Sequence, residues 1–176
     1  YQLEYFHLVE RAPEIAVITN LSQDHLNRHG SMERYAKAKA NIFLNQTKQQ
    51  HLILNKDNHW TQFFLDLRPK SHIWFFSKKS FGGHGLYYHQ NTVYFCSEDK
   101  SQKVLDLTGF IKEKGEHNLE NLLAAALAAH LAGVPWEKIQ VAIPILPQVT
   151  FREEVIFKND HLTVINDTTA TSPEGT

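Results

Sequence analysis

An α/β fold, with a parallel sheet flanked by helices, is the class this sequence predicts. Two apolar runs, "EIAVITN" and "HLILNKDN", pass through an asparagine straight into polar loops, as buried strands do. A helical segment lies between them, and a third run, "SHIWFFSKK", repeats the pattern. Strand, helix and strand in that order signal βαβ packing around a parallel sheet.

The elements follow in chain order. The β-branched run "IAVIT" is the first strand and leads to Asn20. Ser31 is the candidate N-cap of a helix in "SMERYAKAKANIFLNQ", where Met32, Tyr35, Ala36, Ile42 and Phe43 recur near helical spacing. Gly30 argues that this helix starts only after it. From about residue 80 to 108, apolar and polar residues alternate around Gly-Gly and Gln-Asn turn signals, which predicts short antiparallel strands and a small side sheet. "GEHNLENLLAAALAAHLAGV" is the strongest helix, preceded by Gly115, closed by Gly133 and followed by Pro135. A further helix in "PWEKIQVAIPIL" is cut short by Pro144 and Pro147. "TFREEVIFKNDHLTVIND" reads as two strands joined by a turn at Asn159 and Asp160. The prolines before it predict a domain boundary near Gln148, dividing residues 1–148 from 149–176.

Composition bounds the function. At 176 residues, 42% of them apolar, the chain suits one ordinary domain, or most of one with a piece of another. A formal net charge of −1 gives no general attraction to nucleic acid or to anionic membranes. Any phosphate is then held by local groups. The single cysteine, Cys96, excludes an internal disulfide framework and a multi-cysteine zinc site, and fits a cytoplasmic protein. No apolar run approaches the length that crosses a bilayer. The chain opens on Tyr1 and stops just after a strand and turn, so both ends read as cuts and the sequence as an internal fragment.

Four places could carry chemistry. In "NLSQDHLNRHG", His25 and His29 are four apart, the spacing of some zinc sites, although no "HExxH" is present; a polar loop with capping residues is the plainer reading, and a metal-dependent hydrolase built on Asp24, His25 and His29 the weaker alternative. Lys39 sits among alanines, either as a snorkelling side chain or as a phosphate ligand or chemically altered lysine. Asn118 and Asn121 lie three apart at the start of the long helix, as caps or as amides presented to a base or ribose. Arg152 stands in a strand, and Asp167 ends "TVIND" at a strand's carboxyl edge, where α/β sheets place ligands. Asn20 and Asn55 occupy such edges too.

Taken in order, "NLSQDHLNRHGSMERYAKAKANIF", "GEHNLENLLAAALAA", "FREE" and "NDTTATSPEGT" resemble the Mur ligases, the ATP-dependent amide-forming enzymes of peptidoglycan precursor synthesis. The last motif is similar to the "D-S-K-A-T-N-P" pattern of the branch that adds D-glutamate. The resemblance implies part of that family's central ATP-binding domain over residues 1–148, and the start of a Rossmann-like C-terminal domain from 149. It implies a cytoplasmic, monomeric ligase that joins D-glutamate to UDP-N-acetylmuramoyl-L-alanine through an acyl-phosphate, with ATP as co-substrate and Mg2+ as cofactor. Neither nucleic acid nor membrane is a partner in that reading.

Residue by residue, it implies His25 as a magnesium ligand and Lys39 as a lysine that ligates once carbamylated. Asn118 and Asn121 face the nucleotide, Arg152 the phosphates and Asp167 the ribose, while Thr171 lies near D-glutamate. Asn27, Phe151 and Thr169 depart from the family's usual aspartate, histidine and lysine. No "G-T-N-G-K-T"-type phosphate loop occurs, so the chain alone is expected to be inactive. Folylpolyglutamate- or cyanophycin-type ligases and a noncatalytic nucleotide-binding relative are the rivals.

Overall fold

The computed structural model of the chain describes residues 2–8, 11–23, 26–98, 100–115, 117–147 and 154–168. Strands β1 (Ile15–Ile18), β2 (His51–Asn55) and β3 (His72–Ser77) pair in parallel, as expected. β4 (Gly85–His89), β5 (Thr92–Ser97) and β6 (Lys100–Asp106) are the expected antiparallel strands. They are joined edge to edge with the parallel half, because β3 and β4 pair in parallel. One six-stranded sheet results, its strands lying side by side in chain order.

A parallel pair ordinarily needs a long crossover. Here the link 78–84 suffices because β4 overlaps only the end of β3, Phe75–Ser77 beside Gly85–Tyr87. Gly85 makes that approach possible: its φ is +146°, and a Cβ there would fall 1.8 Å from the Phe75 carbonyl oxygen. Between β4 and β5, Gln90 and Asn91 both take positive φ, 46° and 60°, as the mirror-image hairpin turn requires.

Helices cover both faces. On one side lie α1 (Leu26–His29), α2 (Met32–Ala40) and α3 (Thr61–Asp66); on the other, α4 (Phe110–Lys114), α5 (His117–Leu131) and α6 (Trp136–Ala142). β2 shows why its sequence is a continuous apolar run. Leu52 and Leu54 pack into the core with Tyr35, Phe43 and Phe64, while Ile53 faces Leu119, Leu123 and Leu127 of α5. Ser31 caps α2 through its hydroxyl, which accepts from the Arg34 N–H at 3.3 Å. α5 ends at Gly133, φ +93°, whose N–H bonds the His130 carbonyl while the Val134 N–H bonds that of Ala129, a Schellman closure.

Three local expectations are corrected. One helical turn, α1, precedes Gly30 rather than following it; Gly30 at φ +73° closes it, and Glu4 of the 3-10 helix Gln2–Leu8 holds Arg28 and His29 in place. α2 stops at Ala40, where the Asn41 side chain turns to the Leu3 carbonyl; the turns that follow still bury Phe43. α3 and α4 are additional short helices. β7 (Glu154–Lys158) and β8 (Thr163–Asn166) form the expected hairpin, with Asn159 Oδ1 accepting from the N–H groups of His161 and Leu162 at its turn. The predicted boundary at Gln148 lies outside the described residues.

Candidate functional site

The three parallel strands deliver Asn20, Asn55 and Ser77–Lys78 to one edge of the sheet, and the first turn of α5 arrives over it. Glu120 Oε2 accepts from Asn20 Nδ2 at 2.9 Å and from Asn55 Nδ2 at 3.2 Å. Its Oε1 pairs with Lys78 Nζ at 3.0 Å. Asn55, buried, also donates to Asn20 Oδ1 at 2.7 Å, and its own Oδ1 accepts from the Asp57 N–H at 2.9 Å. Asp57 in turn accepts from Ser77 Oγ and from the Lys78 N–H at 2.9 and 2.7 Å. Each strand end is thus tied to its neighbour through side-chain hydrogen bonds and one ion pair.

Beside this edge α5 borders a cavity of about 870 Å³ running between α4, α6 and the β7–β8 hairpin. Asn118 and Asn121 are among its lining residues, with Glu113, Lys114 and Lys138 as the charged ones and Ala125, Ala129, Val134, Ile139, Val155 and Ile165 among the apolar ones. An apolar slot with amides at a helix N-terminus suits a flat heteroaromatic base with phosphate nearby. Asn118 serves as a structural link as well, donating from Nδ2 to the Lys114 carbonyl at 2.6 Å. Asp167 is half-buried just past β8 and is not among the lining residues.

On the other side of the sheet, Lys39 Nζ lies 5.3 Å from the centroid of the Tyr35 ring, one turn earlier on α2. Tyr35 stacks on His29 at 4.8 Å, and His29 Nδ1 lies 3.1 Å from Glu4 Oε1. His29 thus has Tyr35 and Glu4 as its partners, while Asp24 and His25, the other members of the hydrolase reading, lie outside the described residues. The Arg28 guanidinium beside Glu4 holds that carboxyl below the usual carboxylate range, with His29 adding to the effect.

His25, Arg152 and Thr171 lie outside the described residues, as do Phe151 and Thr169; the Asn27 side chain is not described either. The described residues do not by themselves make a magnesium site: no three carboxylate, imidazole or thiol groups among them converge, and the Lys39 ammonium cannot ligate a cation unmodified. The structure brings Asn118 and Asn121 together in one cavity. It also adds Glu120 and Lys78, which the sequence reading passed over. The rule that singled out Asn20 and Asn55 at strand ends applies equally to "FSKK" and would have found Lys78.

Among the described residues, no helix is long and apolar enough to cross a membrane. Residues 2–129 match the family described as the Mur ligase middle domain. UDP-N-acetylmuramoylalanine--D-glutamate ligase of Clostridioides difficile is 34% identical over 176 residues, covering 100% of this chain and 38% of that protein. The enzyme of the same name from Acidobacterium capsulatum is 38% identical over 161 residues, 91% of this chain and 35% of the relative. The chain thus spans little more than a third of their length. The MurF ligase of Thermotoga maritima, solved in complex with ADP, superposes with a TM-score of 0.62 at 20% identity, covering 97% of this chain and 39% of that one.

Proposed function

This chain belongs to the Mur ligase family, and from that premise we propose that it is the nucleotide-binding part of an ATP-dependent, carbon-nitrogen bond-forming ligase that adds D-glutamate to UDP-N-acetylmuramoyl-L-alanine in the cytoplasm. The observation that carries the reading is the pairing of Asn118 and Asn121 in one cavity at the N-terminus of α5. The relatives that align along nearly the whole chain support D-glutamate as the amino acid.

The reaction divides into two steps. The substrate carboxylate takes the γ-phosphoryl group of ATP and releases ADP; the amine of D-glutamate then attacks the acyl-phosphate, forms the amide and expels inorganic phosphate. Little of this is covalent work for the protein, so its task is positioning and charge stabilisation. Asn118 and Asn121 orient the base, Asp167 holds the ribose hydroxyls, Arg152 stabilises charge on the phosphates, and Thr171 contacts D-glutamate. Lys39 reaches its working form by adding carbon dioxide to its neutral amine and losing a proton, which turns a cation into a carboxylate-like oxygen donor. With His25 it would then hold Mg2+, which when bound neutralises phosphate charge.

The test is ADP release by the full-length protein with UDP-N-acetylmuramoyl-L-alanine and magnesium, comparing amino acids. Release dependent on D-glutamate is expected. Release with another amino acid instead would transfer the chain to a different branch of the family, and none with any would make it a noncatalytic nucleotide binder.

A further inference from the structure

We infer that Glu120 is a positioning residue: its carboxylate pins the rotation of α5 against the ends of β1, β2 and β3, and so sets the aim of Asn118 and Asn121 into the cavity. The inference rests on the nucleotide reading of that cavity. Three observations lead to it.

The first is angular. Successive helical residues turn by about 100°. With Asn118 and Asn121 on the cavity side, Glu120 is directed elsewhere, onto the sheet edge, where both of its oxygens are engaged. One turn of helix therefore serves two surfaces, and fixing one fixes the other.

The second is how the rest of the helix packs. Leu119, Leu123 and Leu127 seat α5 on the sheet, but the remainder of its middle, "LLAAALAA", is mostly alanine, whose shallow ridges leave small rotations weakly opposed. A directional polar contact beside that seam, through the partly buried Glu120 carboxylate, selects one rotation among several of similar packing energy. A rotation of about 10° would carry a group ~6 Å from the helix axis by about 1 Å, enough to spoil a positioned hydrogen bond.

The third is what the pin is attached to. Asn20 sits on the segment leaving β1, and Asn58 holds the same segment by donating to the Leu21 carbonyl at 3.2 Å. Glu120 thus joins the nucleotide-facing turn of α5 to the stretch that runs on toward His25. It touches neither nucleotide nor metal in this role.

The experiment measures ADP affinity of the full-length protein by titration calorimetry, with KM for D-glutamate measured in parallel. Glu120→Ala is expected to weaken ADP about tenfold or more, with KM for D-glutamate changing by less than about twofold. Glu120→Gln keeps an oxygen for Asn20 and Asn55 and is expected to stay within about threefold of wild type in ADP affinity. Wild-type ADP affinity in Glu120→Ala would overturn the inference alone. Equal losses for ADP and D-glutamate, or no rescue by glutamine, would mean a merely structural role. A wild-type protein that binds no ADP would overturn the nucleotide reading and this inference together. Should Glu120→Ala fail to fold, Asn20→Ala removes the partner's half of the pin and is judged by the same criterion.

Discussion

Trp74 donates its indole N–H to Nδ1 of His51 at 3.0 Å, from β3 to the start of β2. An indole can only donate, so His51 must present an unprotonated nitrogen. Burial is the first cause holding its pKa below the ordinary 6.5, and the neighbouring His72 ring, 5.8 Å away, adds to it, while Glu14 opposes both. The unfolded chain therefore takes up this proton before the folded one does. Its contribution to stability is full above about pH 6.5 and is lost as pH falls from there through the folded value. Urea unfolding midpoints should fall over that interval, and His51→Gln, which keeps an acceptor for Trp74, should flatten the slope. An unchanged slope would assign the pH dependence to other groups.

Gly85→Ala should destabilise the fold by about 3 kcal/mol or more. The added Cβ meets the Phe75 backbone, which no side-chain rotation can move, and it does so at a φ that alanine disfavours. Equilibrium unfolding in urea measures this. A loss under about 1 kcal/mol would mean that β4 can shift along β3.

Lys39→Ala in the full-length protein should lower ligase turnover about 100-fold or more, with partial recovery on adding small carboxylates. Isotope-labelled bicarbonate should give a carbamate resonance in wild type that the variant lacks. Full turnover without the lysine would remove it from the metal site.

Asn121→Ala should raise KM for ATP about tenfold and leave that for D-glutamate within about twofold. Asp167→Asn should likewise weaken ATP more than D-glutamate. The reverse order for either would move the nucleotide elsewhere on the molecule.

Strand and helix placement was largely legible because it is written in local patterns: the run around Leu52–Leu54, the Ser31 cap and the Gly133 stop are each decided by near neighbours. The short helix before Gly30 was not, since its stability comes from Glu4, distant in sequence, reaching Arg28 and His29. The site shows the same division. Asn118 and Asn121 announce themselves by spacing, whereas Glu120, between them, reads as an ordinary acidic residue at a helix start. Its partners lie 100 and 65 residues away in the chain, and only folding brings them together.

The strands of the main sheet lie side by side in the order in which the chain runs. Among the described residues, each of the strands β2 to β6 leaves the ribosome to meet an edge that has just been made, and none of them must be inserted between two earlier ones. Such a sheet can grow vectorially during translation, with α5 arriving after the six strands to cover chiefly β1 to β4 on one face, and α6 following over β6. The vulnerable nascent state is then the open platform before α5 emerges, with Ile53, Phe76 and Leu86 bare to chaperones. Pausing synthesis just short of residue 117 would capture it.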